Sequence, residues 1–158
     1  MCEFDPRCDG SDGIVSNALD QISAGRWAVT GVYGDEIGPP VAYTTGLTEF
    51  SRPELLITGL DPTLACGILN RAAELVIADE HFLDAPRLDG VLQPPYRLAA
   101  LPAVDTADLS VTRLLYGPDV PAVQLIWPDA DQRLPWEHGY AHPADAQPLS
   151  GLPYHDVA

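Results

Sequence analysis

The sequence predicts an α+β fold: one compact domain with a largely antiparallel or mixed sheet and about three helices. Three observations predict it. Strand-like segments gather around helical ones without the regular strand–helix alternation of a wholly parallel sheet. At 158 residues the chain is long enough for one respectable core, and 46% apolar residues can fill it despite 16 prolines. No internal repeat or linker divides it, which leaves tails at 1–12 and 153–158 around a single domain at 13–152.

The elements follow in order. In "SDGIVSNALDQISAG", Ile14, Val15, Ala18, Leu19 and Ile22 share one helical face, with Asp12 near the N-cap and Gly25 closing the end. Trp27 to Tyr33 forms a strand, and "VAYTTGL" is its partner across a loop containing Gly38, Pro39 and Pro40. "PELLITGL" is a third strand, its Leu55–Ile57 run implying burial on both faces. The clearest helix follows, with Asp61 as N-cap, Pro62 at its first position, and Leu64, Ile68, Leu69, Ala72, Leu75 and Val76 along one stripe. Proline-rich loops flank a short strand near Tyr96–Leu101. A helix covers Ala107–Tyr116, stopped by Gly117 and Pro118. A last strand runs from Ala122 to Trp127, and an irregular tail begins at Pro128.

Charge narrows the function classes. The chain has eight arginines, no lysine, 23 acids and a net charge of −15. Without lysine there is no Walker-type phosphate loop, pyridoxal Schiff base or lysine base. The negative charge argues against nucleic-acid backbones and anionic lipids as direct partners. Apolar runs such as Leu55–Ile57 fall far short of the roughly 20 residues of a membrane span, and "MCEFDPRCDG" shows no secretory signal. The expected location is cytoplasmic, and the alanine- and arginine-rich usage points to a high-GC bacterial or phage genome. Cys2, Cys8 and Cys66 suit a reducing compartment better than a disulfide framework. Their spacing completes no zinc site.

The segments "WAVTGVYGD", "PPVAYTTGLTEFSRPELLITGL", "LLYG", "VQLIWPDADQRLPWEHGY" and "QPLSG" occur in that order. Together they resemble the bacterial family catalogued as domain of unknown function 4262, over nearly the whole chain. The resemblance implies a compact α+β domain and no established chemistry. Two departures stand out. The family's pattern usually has histidine before the "PEL" run, where this chain has Arg52, and a CxxC pair where this chain has Cys2 and Cys8.

Candidate chemistry concentrates in "AVQLIWPDADQRLPWEHGY". Pro128 and Pro135 force the chain to turn there. Structurally, Trp127 ends a core strand, Asp129 organises the turn and Trp136 folds back as a lid. Functionally, Trp136 and Trp127 wall a pocket, with Asp129 and Glu137 as acceptors or bases. On the strand, Tyr43 and Thr45 share a face opposite Thr44. Glu54, at the mouth of a buried strand, is a candidate base or a partner for Arg52 or Arg97. Gln124 either bridges backbone or faces a cleft. His138 and His142, four apart, would converge on a metal only on a helix, which Gly139 and Pro143 oppose; His81 is a solvated helix-terminal histidine. No GxSxG, HExxH or Rossmann fingerprint is present.

The sequence therefore points to a protein that binds a small molecule or peptide in an aromatic and carboxylate cleft. Its ligand-binding candidates are Tyr43, Thr45, Glu54, Gln124, Trp127, Asp129 and Trp136, with no metal and no cofactor. One rival is a small enzyme using Glu54 or Asp129 as general base with Tyr43 as acid or oxyanion donor. Another is an acidic protein-interaction module or DNA-mimic decoy of phage or mobile-element type. Oligomeric state is set by nothing in the sequence.

Overall fold

A computed structural model of the chain describes residues 2–4 and 11–152. Its elements are β1 (Cys2–Phe4), α1 (Ser11–Ser23), β2 (Ala28–Val32), β3 (Val41–Thr45), β4 (Glu54–Thr58), α2 (Pro62–Ala78), β5 (Ala99–Pro102), α3 (Ser110–Tyr116) and β6 (Ala122–Ile126). Single-turn 3-10 helices lie at Leu47–Phe50, Phe82–Asp84 and Ala144–Ala146.

One mixed sheet of six strands runs β1-β2-β3-β4-β6-β5. The β1/β2 and β4/β6 pairs are parallel and the other three antiparallel. Parallel neighbours need crossovers, which α1 supplies for the first pair and the α2-to-α3 stretch for the second. The result is the α+β domain that the pattern predicts.

Helices cover both faces. On one, α2 packs Ala65, Ile68, Leu69, Ala72 and Val76 against Val29, Ala42, Leu55, Ile57 and Leu125. On the other, Ile14 and Ala18 of α1 and Val111 of α3 meet Ala28, Tyr43, Leu56 and Ala122. Where β5 and β6 run beyond these helices, Ala99, Leu101 and Ile126 are covered by Leu134, Trp136 and Leu149 of the C-terminal segment. Strand β4 is consequently buried along its length, as the apolar run implies.

Local chemistry sets the α2 ends. Asp61 accepts a hydrogen bond from Thr63 N (3.1 Å) and Pro62 takes the first helical position, a cap worth about 1 kcal/mol. At the other end, Arg52 Nε donates to Val76 O (2.8 Å) and Nη2 to Ile77 O (3.4 Å). Gly25 adopts φ +76°, the left-handed conformation that ends a helix, just after α1.

Three expectations are corrected. Helix α3 starts at Ser110 instead of Ala107, because Asp105 Oδ1 accepts Ala107 N (2.9 Å) and Thr106 O accepts Leu109 N (3.0 Å), making a turn. Strand β5 begins at Ala99, since Leu98 pairs backward with Leu88. Cys66, buried on α2, is disulfide-bonded, contrary to the expectation of reduced thiols; its partner's side chain lies outside the described residues. Among the described residues no helix is long and apolar enough to cross a membrane.

Candidate functional site

A cleft of about 690 Å³ opens at the β5 end of the sheet. Pro53, Leu83, Ala100, Pro102, Val123 and Trp136 are among the residues that line it. Glu80, Asp84 and Arg87 contribute its charged groups. Such a mixture of apolar lining and a few polar groups is the usual form of a binding site.

The Trp136 side is held in place by charge. Glu137 Oε2 accepts Leu134 N (2.6 Å), while its Oε1 accepts from Arg87 Nη2 (3.3 Å), across 50 residues of chain. Upstream, Asp129 is only 1% exposed. It accepts Asp131 N (2.9 Å) and Arg133 N (2.9 Å) on Oδ1, and Arg133 Nε (3.1 Å) and Ala141 N (3.0 Å) on Oδ2. Burial alone would raise its pKa, but these donors outweigh burial and lower it to about 2. The loop is thus tied around the Asp129 carboxylate, which organises the turn.

Glu54 likewise gathers the donors of a turn. Fully buried, it accepts Thr44 Oγ1 (2.8 Å) and Leu47 N (3.0 Å) on Oε1. Its Oε2 accepts Gly46 N (3.2 Å), Thr48 N (2.9 Å) and Thr48 Oγ1 (2.6 Å). The carboxylate therefore caps the 3-10 turn at Leu47–Phe50 and pairs with neither arginine proposed for it. Arg52 caps α2, as described, and Arg97 lies 3.8 Å from Asp89.

The remaining candidates hold elements together. Tyr43 is buried, which raises its pKa, and its hydroxyl meets Ser110 Oγ (3.3 Å) and accepts Val111 N (3.1 Å) at the start of α3. Thr45 Oγ1 lies 2.7 Å from Thr112 Oγ1, which donates to Thr44 O (2.7 Å). Gln124 bridges backbone: Nε2 donates to Pro148 O (2.8 Å), and Oε1 accepts Ser150 N (2.7 Å). Trp127 Nε1 donates to Thr58 O (2.7 Å), and its ring stands edge-on to His142 at 5.3 Å. Among the seven binding candidates, Trp136 alone lines the cleft; the others are spread over the sheet and its connections.

Glu80, Leu83, Asp84, Arg87 and Ala100 went unmarked in the sequence reading. They sit in the 3-10 turn at Phe82–Asp84, in loops or at a strand edge, without a motif spacing, and the fold alone brings them together. A second cavity of about 510 Å³ lies between the β2–β3 loop, the start of α3 and Pro148–Ser150, with Asp35, Asp105 and Asp108 in its lining. Asp35 Oδ1 already accepts Ile37 N (2.8 Å) and Gly38 N (3.1 Å). Among the described residues no group of three or more His, Cys, Asp and Glu side chains is placed to hold a metal ion.

No curated protein and no solved structure matches the chain. A family model described as "Domain of unknown function (DUF4262)" matches residues 21–141. The matched span begins near the end of α1 and ends at Ala141, whose N–H closes the Asp129 loop; every residue lining the cleft falls inside it. The chain belongs to the DUF4262 family.

Proposed function

We infer that this is a binding protein whose ligand, a small molecule or a peptide segment, enters the cleft beside Trp136. One observation carries the inference: an aromatic side chain, apolar lining residues and exposed carboxylates share a preformed cleft whose loops are locked by Glu137–Arg87 and by Asp129. Locking of that kind lowers the ordering cost of binding. Binding is favoured over turnover because the carboxylates considered as bases, Glu54 and Asp129, spend their lone pairs on turn amides and hydroxyls.

A thermal-shift screen tests this, with nucleotides, amino acids, sugars, short peptides and divalent metals as probes. A ligand at about a hundredfold its dissociation constant adds roughly 2.7 kcal/mol. For a domain of this length that raises the melting temperature by about 5–10 °C. The shift should vanish in Trp136→Ala, with the unliganded melting curve as the folding control. A shift that survives this substitution would move the site elsewhere.

A further inference from the structure

We propose that the cleft accepts an extended, positively charged polypeptide segment, which pairs with the outer edge of β5. This names an occupant for the binding site inferred above and rests on that reading.

The register of β5 supplies the first half of the argument. Ala99 stands opposite Ile126 and Leu101 opposite Gln124, and the ladder continues where Ala103 N donates to Ala122 O (2.9 Å). In an antiparallel pair, alternate residues turn their N–H and C=O toward the neighbour and the others turn theirs away. Leu98, Ala100 and Pro102 are the ones that turn away. Leu98 already exchanges both bonds with Leu88: Leu88 N donates to Leu98 O (2.7 Å), and Leu98 N to Leu88 O (3.3 Å). That bridge is isolated. Continuing it would bring Pro86 opposite Ala100, and Pro86 has no N–H while its carbonyl accepts from Arg87 Nη1 (3.0 Å).

Ala100 is therefore left at the open edge. It lines the cleft, and β5 is the last strand of the sheet among the described residues. An incoming strand can give it the same two bonds that Leu88 gives Leu98. Pro102, the next outward position, offers no donor, so pairing is short and indiscriminate edge-to-edge association is blocked.

Charge supplies the second half. Glu80 and Asp84 bring two exposed carboxylates to the cleft, and the Arg87 guanidinium beside them is already held by Glu137. The chain as a whole carries −15. A lysine or arginine next to the pairing residue meets these carboxylates, and an arginine can also lie against the Trp136 indole. Leu83 and Val123 offer contact for an apolar side chain. The expected motif is one basic residue within two positions of a β-branched or aromatic residue, in an extended segment.

The test is selection of displayed random decapeptides on the full chain, at about 150 mM salt so that diffuse attraction to an acidic protein is screened. One enriched peptide is then titrated against wild type, Ala100→Pro and the double variant Glu80→Arg/Asp84→Arg. We expect basic and apolar residues to be enriched together, and affinity to fall about tenfold or more in both variants while melting temperatures hold. If Ala100→Pro fails to fold, hydrogen exchange at the Ala100 amide of the wild type decides, and it should slow when the peptide binds. Enrichment of neutral or acidic peptides, affinity indifferent to the variants, or unchanged exchange at Ala100 each overturns the proposal. A small molecule that binds in a Trp136-dependent way while no peptide is selected also overturns it, yet leaves the cleft reading standing. Failure of both sets of probes removes both.

Discussion

Glu54 and Asp129 show how a buried carboxylate can be conformational rather than catalytic. Each gathers backbone N–H groups from a reversing chain that would otherwise have no partner, and each does so out of contact with water. Converting Glu54 to glutamine turns an amide NH₂ toward donors, so Glu54→Gln should lower stability by about 1–3 kcal/mol in urea unfolding. No loss would mean that the turn amides find water instead. Asp129 adds a pH signature. Its folded pKa lies below the ordinary 3.8, so the ionised form favours the folded state above that pH, and the contribution fades as pH falls toward about 2. The melting temperatures of wild type and Asp129→Asn should therefore differ near neutrality and converge in acid. Both carboxylates were legible as unusual from the sequence, one at the mouth of an apolar run and one in a proline-broken turn. Their partners were not, because amides from a turn have no residue signature.

At the scale of elements, the C-terminal segment closes the fold through side-chain amides. Gln147 brackets the backbone of Trp127, accepting its N–H (2.9 Å) and donating to its C=O (3.0 Å), as a neighbouring strand would. Gly59 lets the segment pass close by: at φ +85°, a Cβ there would collide with the Ala146 carbonyl. Gln147→Ala should lower stability by about 1–3 kcal/mol and speed hydrogen exchange at the Trp127 amide; unchanged exchange would show that the bracket is dispensable. Past the end of α2, His81 stands between two carboxylates of the cleft, with Nδ1 3.1 Å from Asp84 and Nε2 3.4 Å from Glu80. Its pKa is raised, first by the hydrogen bond to Asp84 and then by the charges of Glu80, Asp84 and Asp79. On the proposed binding mode, a protonated His81 would compete with a cationic ligand for those carboxylates. Affinity for such a ligand should rise from about pH 6 to pH 8 and lose this dependence in His81→Gln, as titrations at the two pH values would show. Helices α1 and α2 were legible from their period, and β2, β3, β4 and β6 from their apolar runs, but Leu19 and Leu64, expected on the buried faces of the two helices, are exposed, and Ala65, Cys66 and Ala73 are buried on α2 in addition to the expected stripe. The start of α3 and of β5 was not, since a turn at Asp105 and a bridge to Leu88 override the local pattern.

For the whole molecule, the sheet arrangement explains why the candidate residues scatter. Strand β4 and the two helical layers bury the centre, so Tyr43, Thr45 and Glu54 serve packing and turns, while the far end beyond the helices is closed by loops and leaves the cleft. Trp136 was legible as a lid or a wall; it packs against the cluster of Ala99, Leu101, Ile126 and Leu134 and also lines the cleft. Its companions Arg87 and Glu137 meet only because the chain returns across 50 residues, which no local pattern records. We place the binding site in this cleft and not in the cavity beside Pro148–Ser150. Hydrogen exchange of the protein with its best-shifting ligand distinguishes the two cavities. The cleft reading predicts slowed exchange at residues 83–87, at 99–101 and around Trp136; slowing confined to Val41, 105–110 and 149–150 would contradict it.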